Sequence, residues 1–134
     1  LINPASFQLR PDKLAQDITV PRGQVAQVIQ EIHKIGQEIK LPVLTFGHLG
    51  DGNIHTNIMY SAEVERESEA AKKAMTSILD EVLARGGTIS GEHGIGLSKL
   101  PYLERQLGSK ERQLMQDIKT VFDPLNIMNP GKAF

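Results

Sequence analysis

Three glycines within six residues, in the segment Gly47-His48-Leu49-Gly50-Asp51-Gly52-Asn53-Ile54-His55, separate two runs of β-prone character and restrict the fold more than any other feature. On one side Val43-Leu44-Thr45-Phe46 reads as a short buried strand. On the other, residues 54 to 60 alternate, with Ile54, Thr56, Ile58 and Tyr60 on one face and His55, Asn57 and Met59 on the opposite one. A glycine turn between such runs predicts an antiparallel pair. If His48 ends the first strand and His55 begins the second, the turn folds the two imidazoles back toward each other.

Amphipathic segments flank this pair. Residues 24 to 39 place Val25, Val28, Ile29, Ile32, Ile35 and Ile39 at spacings of three and four, with Pro21 before the stripe and Pro42 after it. Between Ala62 and Arg85 the residues Ala71, Ala74, Met75, Ile78, Leu79, Val82 and Leu83 repeat that spacing, and Gly86-Gly87 stops it. Asp17-Ile18-Thr19-Val20 and Thr88-Ile89-Ser90 supply one short strand at either end. The order strand, helix, strand, strand, helix, strand predicts an α+β fold with a ferredoxin-like antiparallel sheet. Two extra C-terminal helices are expected around residues 99 to 107 and 110 to 122, before the tail Asn129-Pro130-Gly131-Lys132. The start, Ile2-Asn3-Pro4-Ala5-Ser6, reads as loop.

Composition narrows the chemistry. A chain of 134 residues suits a single domain. Fifteen basic and 16 acidic residues, net charge -1, form no basic stripe for nucleic acid. No run approaches the roughly 18 apolar residues of a transmembrane segment. The chain has no cysteine, so any metal must be held by nitrogen and oxygen, which fits a cytoplasmic setting. Its first residue is Leu1, not methionine, which points to a piece of a longer protein.

The two histidines of the glycine turn could share one ion, and zinc accepts both imidazole nitrogen and carboxylate oxygen. Asp51 and Glu92 are the acidic candidates for a third ligand. Asp51 suits turn formation better, because aspartate before glycine bonds to its own backbone. A Gly-Asp-Gly-Asn turn is also an ordinary hairpin device with no metal at all. A second segment, Gly91-Glu92-His93-Gly94-Ile95-Gly96, sets a carboxylate beside an imidazole among small residues. Its glycine spacing does not match the dinucleotide-binding loop, and the required strand-to-helix unit is missing. Strand order alone does not bring Glu92 to the histidine pair.

Together, Gly47 to His55, Ser90 to Gly96 and Asn129 to Lys132 resemble, in the same order, the signatures of the C-terminal domain of the FAD-linked oxidases, the family of glycolate oxidase, the D-lactate dehydrogenases and D-2-hydroxyglutarate dehydrogenase. The resemblance implies that His48, His55 and Glu92 bind a divalent metal, usually zinc. It implies that Asn57 and His93 contact substrate, with His93 as catalytic base. Glu92, His93, Asn129 and Lys132 would lie toward the FAD, which is held mainly by an upstream domain. The implied reaction converts a small D-2-hydroxy acid to the 2-oxo acid by hydride transfer to flavin, in a chain inactive by itself. An electron acceptor or further oxidase subunits are implied partners, and the intact enzyme would be cytoplasmic or peripheral to the membrane. A rival reading is a non-catalytic ferredoxin-like interaction module, which does not require Glu92 and His93 to converge with His48 and His55. A stand-alone metallohydrolase using the same ligands is another.

Overall fold

The structure is a computed structural model that describes residues 2–133, and side chains from residue 4 onward. The described chain divides into two compact units, one ending at Glu92 and the other beginning at His93.

The first unit is built on three antiparallel strands, β1 (Asp12–Thr19), β2 (Val43–Phe46) and β3 (Asn53–Tyr60), in the spatial order β1-β3-β2. The central position of β3 follows from its composition: five of its eight residues are β-branched, aromatic or methionine, and it is buried along nearly its whole length. Helix α2 (Val25–Ile39) connects β1 to β2, and helix α3 (Glu65–Ala84) follows β3. Both pack on the same sheet face. Gln16 on β1 reaches the Met75 sulfur of α3 at 2.9 Å, and His33 of α2 meets Thr45 of β2 at 3.0 Å. The register aligns Gln16 and Thr45 with Thr56, so these three positions mark the helix-facing side. Between the layers Ile18, Val28, Ile32, Ile54, Ile58, Ala74, Ile78, Leu79 and Val82 are buried. Each isoleucine or leucine there contributes about 1.5–3 kcal/mol of transfer free energy. Helix α3 ends as its glycines predict: Gly86 takes a φ of +73°, and the Gly86 and Gly87 amides donate to Leu83 and Val82 carbonyls at 3.0 and 2.9 Å.

The antiparallel α+β arrangement agrees with the strand-helix-strand-strand-helix order, with three local differences, the first two of which have physical causes. Strand β1 begins five residues before the β-prone Asp17, because Lys13, Leu14, Ala15 and Gln16 carry little β propensity of their own and are drawn in by pairing with β3 along all eight positions. The expected last strand, Thr88-Ile89-Ser90, is reduced to a single bridge between Thr88 and Thr19. Beyond it the Gly91 and Glu92 amides turn to the Asp17 carboxylate, and the Thr88 hydroxyl donates to the Ser90 carbonyl, so apart from a 3.3 Å bond from the Gly91 amide to the Asp17 carbonyl side-chain bonds take the place of a ladder. The initial segment Ile2–Ser6, expected as loop, is one helical turn, α1.

The second unit carries α4 (Leu100–Gln106) and α5 (Ser109–Phe122), at the positions anticipated. Asp123 ends α5 and organises the tail. Its buried carboxylate accepts the Ile127 and Met128 amides, both at 2.9 Å, and the Lys119 ammonium at 2.6 Å. The Lys119 hydrogen bond, aided by the two amides, holds the Asp123 carboxyl below its ordinary value of 3.8 against the opposing effect of burial.

Ile58→Ala should lower unfolding free energy by about 2–5 kcal/mol, because the void at the sheet centre lies against two packed helices; an unchanged urea midpoint would show that the sheet–helix core does not carry the fold. A carboxyl whose folded pKa is depressed stabilises above its unfolded value and loses that contribution as pH falls through the folded value. The stability advantage of the natural chain over Asp123→Asn should therefore be full above 3.8 and shrink on further acidification. Urea unfolding at a series of pH values checks this, and an advantage constant from about pH 6 to about pH 2 would contradict it.

Candidate metal and substrate site

The sheet face opposite the helices collects the polar residues of interest. The register places Asp17 of β1 and Phe46 of β2 directly across from His55 of β3. His55 is thus flanked on both sides, with the Phe46 ring centroid 5.3 Å from its own. Its two ring nitrogens face two different carboxylates: Nδ1 lies 3.6 Å from Asp17 Oδ1, and Nε2 lies 3.3 Å from Glu92 Oε1. Asp17, His55 and Glu92 each offer a ligand atom within 4.8 Å of the others. The two acids differ sharply in setting, since the Asp17 side chain is 0% exposed and that of Glu92 52%.

Asp17 is held by two other chain segments. Asn53, at the end of the glycine turn, donates Nδ2 to Asp17 Oδ1 at 2.6 Å and to the Ile18 carbonyl at 3.2 Å. The Gly91 and Glu92 amides donate to Asp17 Oδ2 at 2.9 and 2.8 Å, and the Ser90 hydroxyl lies at 3.4 Å. Glycine is required at 91 by close approach: a Cβ there would meet Asn53 Nδ2, the Thr19 hydroxyl and Asp17 Oδ1. The glycine turn has a matching constraint at Gly52, whose φ of +77° and contact with the Val20 carbonyl exclude a side chain.

The other anticipated residues take varied positions. His48 precedes a single 3-10 turn, Leu49–Asp51, and its carbonyl accepts the Asp51 and Asn53 amides at 2.9 and 3.3 Å. Its ring stands edge-on to that of His55, centroids 5.9 Å apart, so the hairpin brings the histidine pair together. His48 is nonetheless outside the tighter group formed by Asp17, His55 and Glu92. Asp51 is exposed on the turn. Asn57 lies two residues beyond His55 on the same face and is buried, and its Nδ2 has no acceptor among the described residues. A buried donor left unpaired costs about 1–3 kcal/mol. His93, exposed, follows Glu92 directly and opens the second unit. In that unit the tail turn is closed by the Lys132 amide on the Asn129 carbonyl at 3.2 Å, and the Ala133 amide donates to the Gly96 carbonyl at 3.1 Å. The tail motif is thereby tied to the end of the Glu92-His93 motif.

Asp17 and Asn53 are the residues that sequence reasoning missed. A signal existed for the first: aspartate is disfavoured inside strands, and Asp17 opens a run of β-prone residues, which asks for a buried partner. Asn53 was concealed by its membership of a turn motif.

A small antiparallel sheet with helices on one face and an imidazole between two carboxylates on the other defines an α+β domain whose side chains could hold a metal ion. Residues 3–133 match the family described as FAD linked oxidases, C-terminal domain, and the chain belongs to that family. It is 39% identical over 130 residues to glycolate oxidase subunit GlcD of Bacillus subtilis, covering 97% of this chain and 28% of that protein. Against D-lactate dehydrogenase of Anaerostipes hadrus the identity is 39% over 120 residues, covering 87% and 25% respectively. Against D-2-hydroxyglutarate dehydrogenase of Stutzerimonas stutzeri it is 38% over 122 residues, covering 88% and 26%. The chain thus spans about a quarter of the length of these curated relatives.

Gly91→Ala should destabilise the first unit by about 1–3 kcal/mol, because the added methyl is forced against Asp17 and Asn53. Urea unfolding together with amide spectra of residues 88 to 92 would test it, and a variant with natural stability and spectra would refute the close approach.

Proposed function

We propose that the chain is the metal- and substrate-binding part of an FAD-dependent dehydrogenase or oxidase that converts a small D-2-hydroxy acid, of the glycolate or D-lactate type, to its 2-oxo acid. The observation that carries this reading is the convergence of His55 and Glu92 on one sheet face, with the His48 ring beside them, in a chain of the FAD-linked oxidase family. A non-catalytic interaction module gives no reason for that convergence.

The donor set fits a divalent ion. Imidazole nitrogen and carboxylate oxygen suit zinc, and three protein ligands leave a position open for substrate oxygen. His55 Nε2, Glu92 and His48 are the proposed ligands, in keeping with the 3.3 Å approach of the first two. Once bound, such an ion supplies Lewis acidity toward the carboxylate and hydroxyl oxygens of a 2-hydroxy acid, and FAD supplies the hydride acceptor.

The chain's own residues would do the rest. Asn57 carries a buried donor lacking an acceptor, which a substrate carboxylate would supply. His93, adjoining Glu92, would take the proton of the substrate hydroxyl as the C2 hydrogen leaves as hydride, which is general base catalysis by an imidazole. Loss of that proton and that hydride yields the 2-oxo acid. Asn129 and Lys132, on the tail tied to Gly96, are proposed to face the flavin, which an FAD-binding domain outside this chain would hold.

Titration with Zn2+ should give one equivalent bound to the natural chain, and His55→Ala or Glu92→Gln should abolish stoichiometric binding. In the flavin-loaded enzyme containing this chain, His93→Ala should lower turnover of D-lactate or glycolate by about 10²–10⁴-fold while metal content stays near one equivalent. Retained stoichiometric zinc in the ligand variants would remove the metal site, and unaltered turnover in the His93 variant would remove the base.

A further inference from the structure

We propose that Asp17 is the positioning residue of this site, fixing the proton of His55 on Nδ1 so that Nε2 is left to a metal, and anchoring the backbone that carries Glu92. The inference rests on the metal-site reading above and assigns a role to a residue outside the proposed ligand set.

Asp17 itself makes a poor ligand. An ionised carboxylate offers about four acceptor sites. Oδ2 accepts the Gly91 and Glu92 amides and the Ser90 hydroxyl, and Oδ1 accepts the Asn53 amide. Oδ1 also lies 3.6 Å from His55 Nδ1. That distance is an electrostatic contact and not a formed hydrogen bond. It still decides where the proton sits, because a ring nitrogen lone pair held against a fully buried negative charge is repelled and an N–H is attracted, with little solvent to screen either. Glu92 has the opposite setting: its side chain is half exposed, and its Oε1 lies by Nε2. The two carboxylates therefore divide the imidazole, the buried one facing the proton-bearing nitrogen and the exposed one facing the ligating nitrogen. An imidazole whose second nitrogen is oriented by a carboxylate is a recurrent support for metal ligation, and its loss typically costs 10–100-fold in metal affinity.

The same carboxylate sets the approach of Glu92. With Gly91 admitting no Cβ between Asn53 and Asp17, the amides of residues 91 and 92 close on Oδ2, and the Glu92 side chain departs from this anchor. Asp17 thereby positions two proposed ligands from different parts of the chain through separate oxygens.

The test uses this chain with Zn2+ as the probe, and ¹⁵N NMR of the His55 ring as a readout that purely structural support would not move. In the natural chain without metal at about pH 8, Nδ1 of His55 should carry a proton, although an isolated histidine side chain prefers the Nε2–H form. In the isosteric variant Asp17→Asn the proton should move to Nε2, facing Glu92, and Zn2+ affinity should fall 10–100-fold. An unprotonated Nδ1 in the natural chain overturns the proposal without any variant. So does an Asp17→Asn chain that keeps Nδ1 protonated and binds zinc within about twofold of the natural chain, an effect too small for lost orientation of a ligand. Failure of the natural chain to bind Zn2+ with Nδ1 protonated would instead remove the metal reading while leaving Asp17 as the residue that orients His55.

Discussion

A carboxylate fully removed from water is tolerable only when nearly every acceptor site it has is satisfied, and Asp17 meets that demand by drawing two other chain segments onto its strand. It lies on β1, and its donors come from Asn53, where the glycine turn enters β3, and from the segment after the last bridge. That last segment is not regular secondary structure, and its amides reach both the Asp17 carboxylate and, from Gly91 at 3.3 Å, the Asp17 carbonyl. The buried charge does for it what a fourth strand would have done for the sheet. This is how regular pairing ends at Thr88 without the backbone being abandoned: the Glu92 amide turns to a side chain on the neighbouring strand, and the Gly91 amide is shared between that side chain and its carbonyl.

Register then converts that anchor into a site. With β3 central, its residues from His55 to Ile58 have partners on both sides, and the period of two sends Ile54, Thr56 and Ile58 into the helix-covered core while His55 and Asn57 face the other way. A slip by one residue would exchange the two sets, burying an imidazole among isoleucines. The same apolar packing that stabilises the sheet therefore specifies which face carries the chemistry. Stability and the candidate site are tied through that register as well as through Asp17.

Much of this is legible in the sequence. The stripes of residues 24 to 39 and 62 to 85 predict α2 and α3, because periodicity of three to four with a glycine or proline stop is a local property. The alternation of residues 54 to 60 assigns the faces of β3 for the same reason. Asp17 is not legible as a site residue, because its partners lie 36 and 74 positions away and only tertiary pairing brings them together. The proximity of Glu92 to His55 is likewise implied only by family resemblance, since it depends on a segment crossing the end of β1. Helix α5 shows the limit of pattern reading from the other side. Leu114, Ile118, Val121 and Phe122 have helical spacing, and a helix forms, yet all four are exposed, so amphipathic spacing announces the element and not its burial.

The unequal exposure of the two carboxylates explains how one small sheet can serve both stability and ligand capture. A metal site whose donors come from a strand, a turn and a loop exists only in the folded chain, so part of any ion's binding free energy is spent on ordering those segments. Here the cost falls unevenly. His55 is fixed on the central strand between Phe46 and Asp17, and the Glu92 backbone is already bonded to Asp17 before any ion arrives. What is left to order is the half-exposed Glu92 side chain and the His48 ring on its turn. On the proposed reading, preorganised interior donors would let the outer ones exchange water for substrate oxygen, as suits a site that binds and releases rather than one that staples a fold.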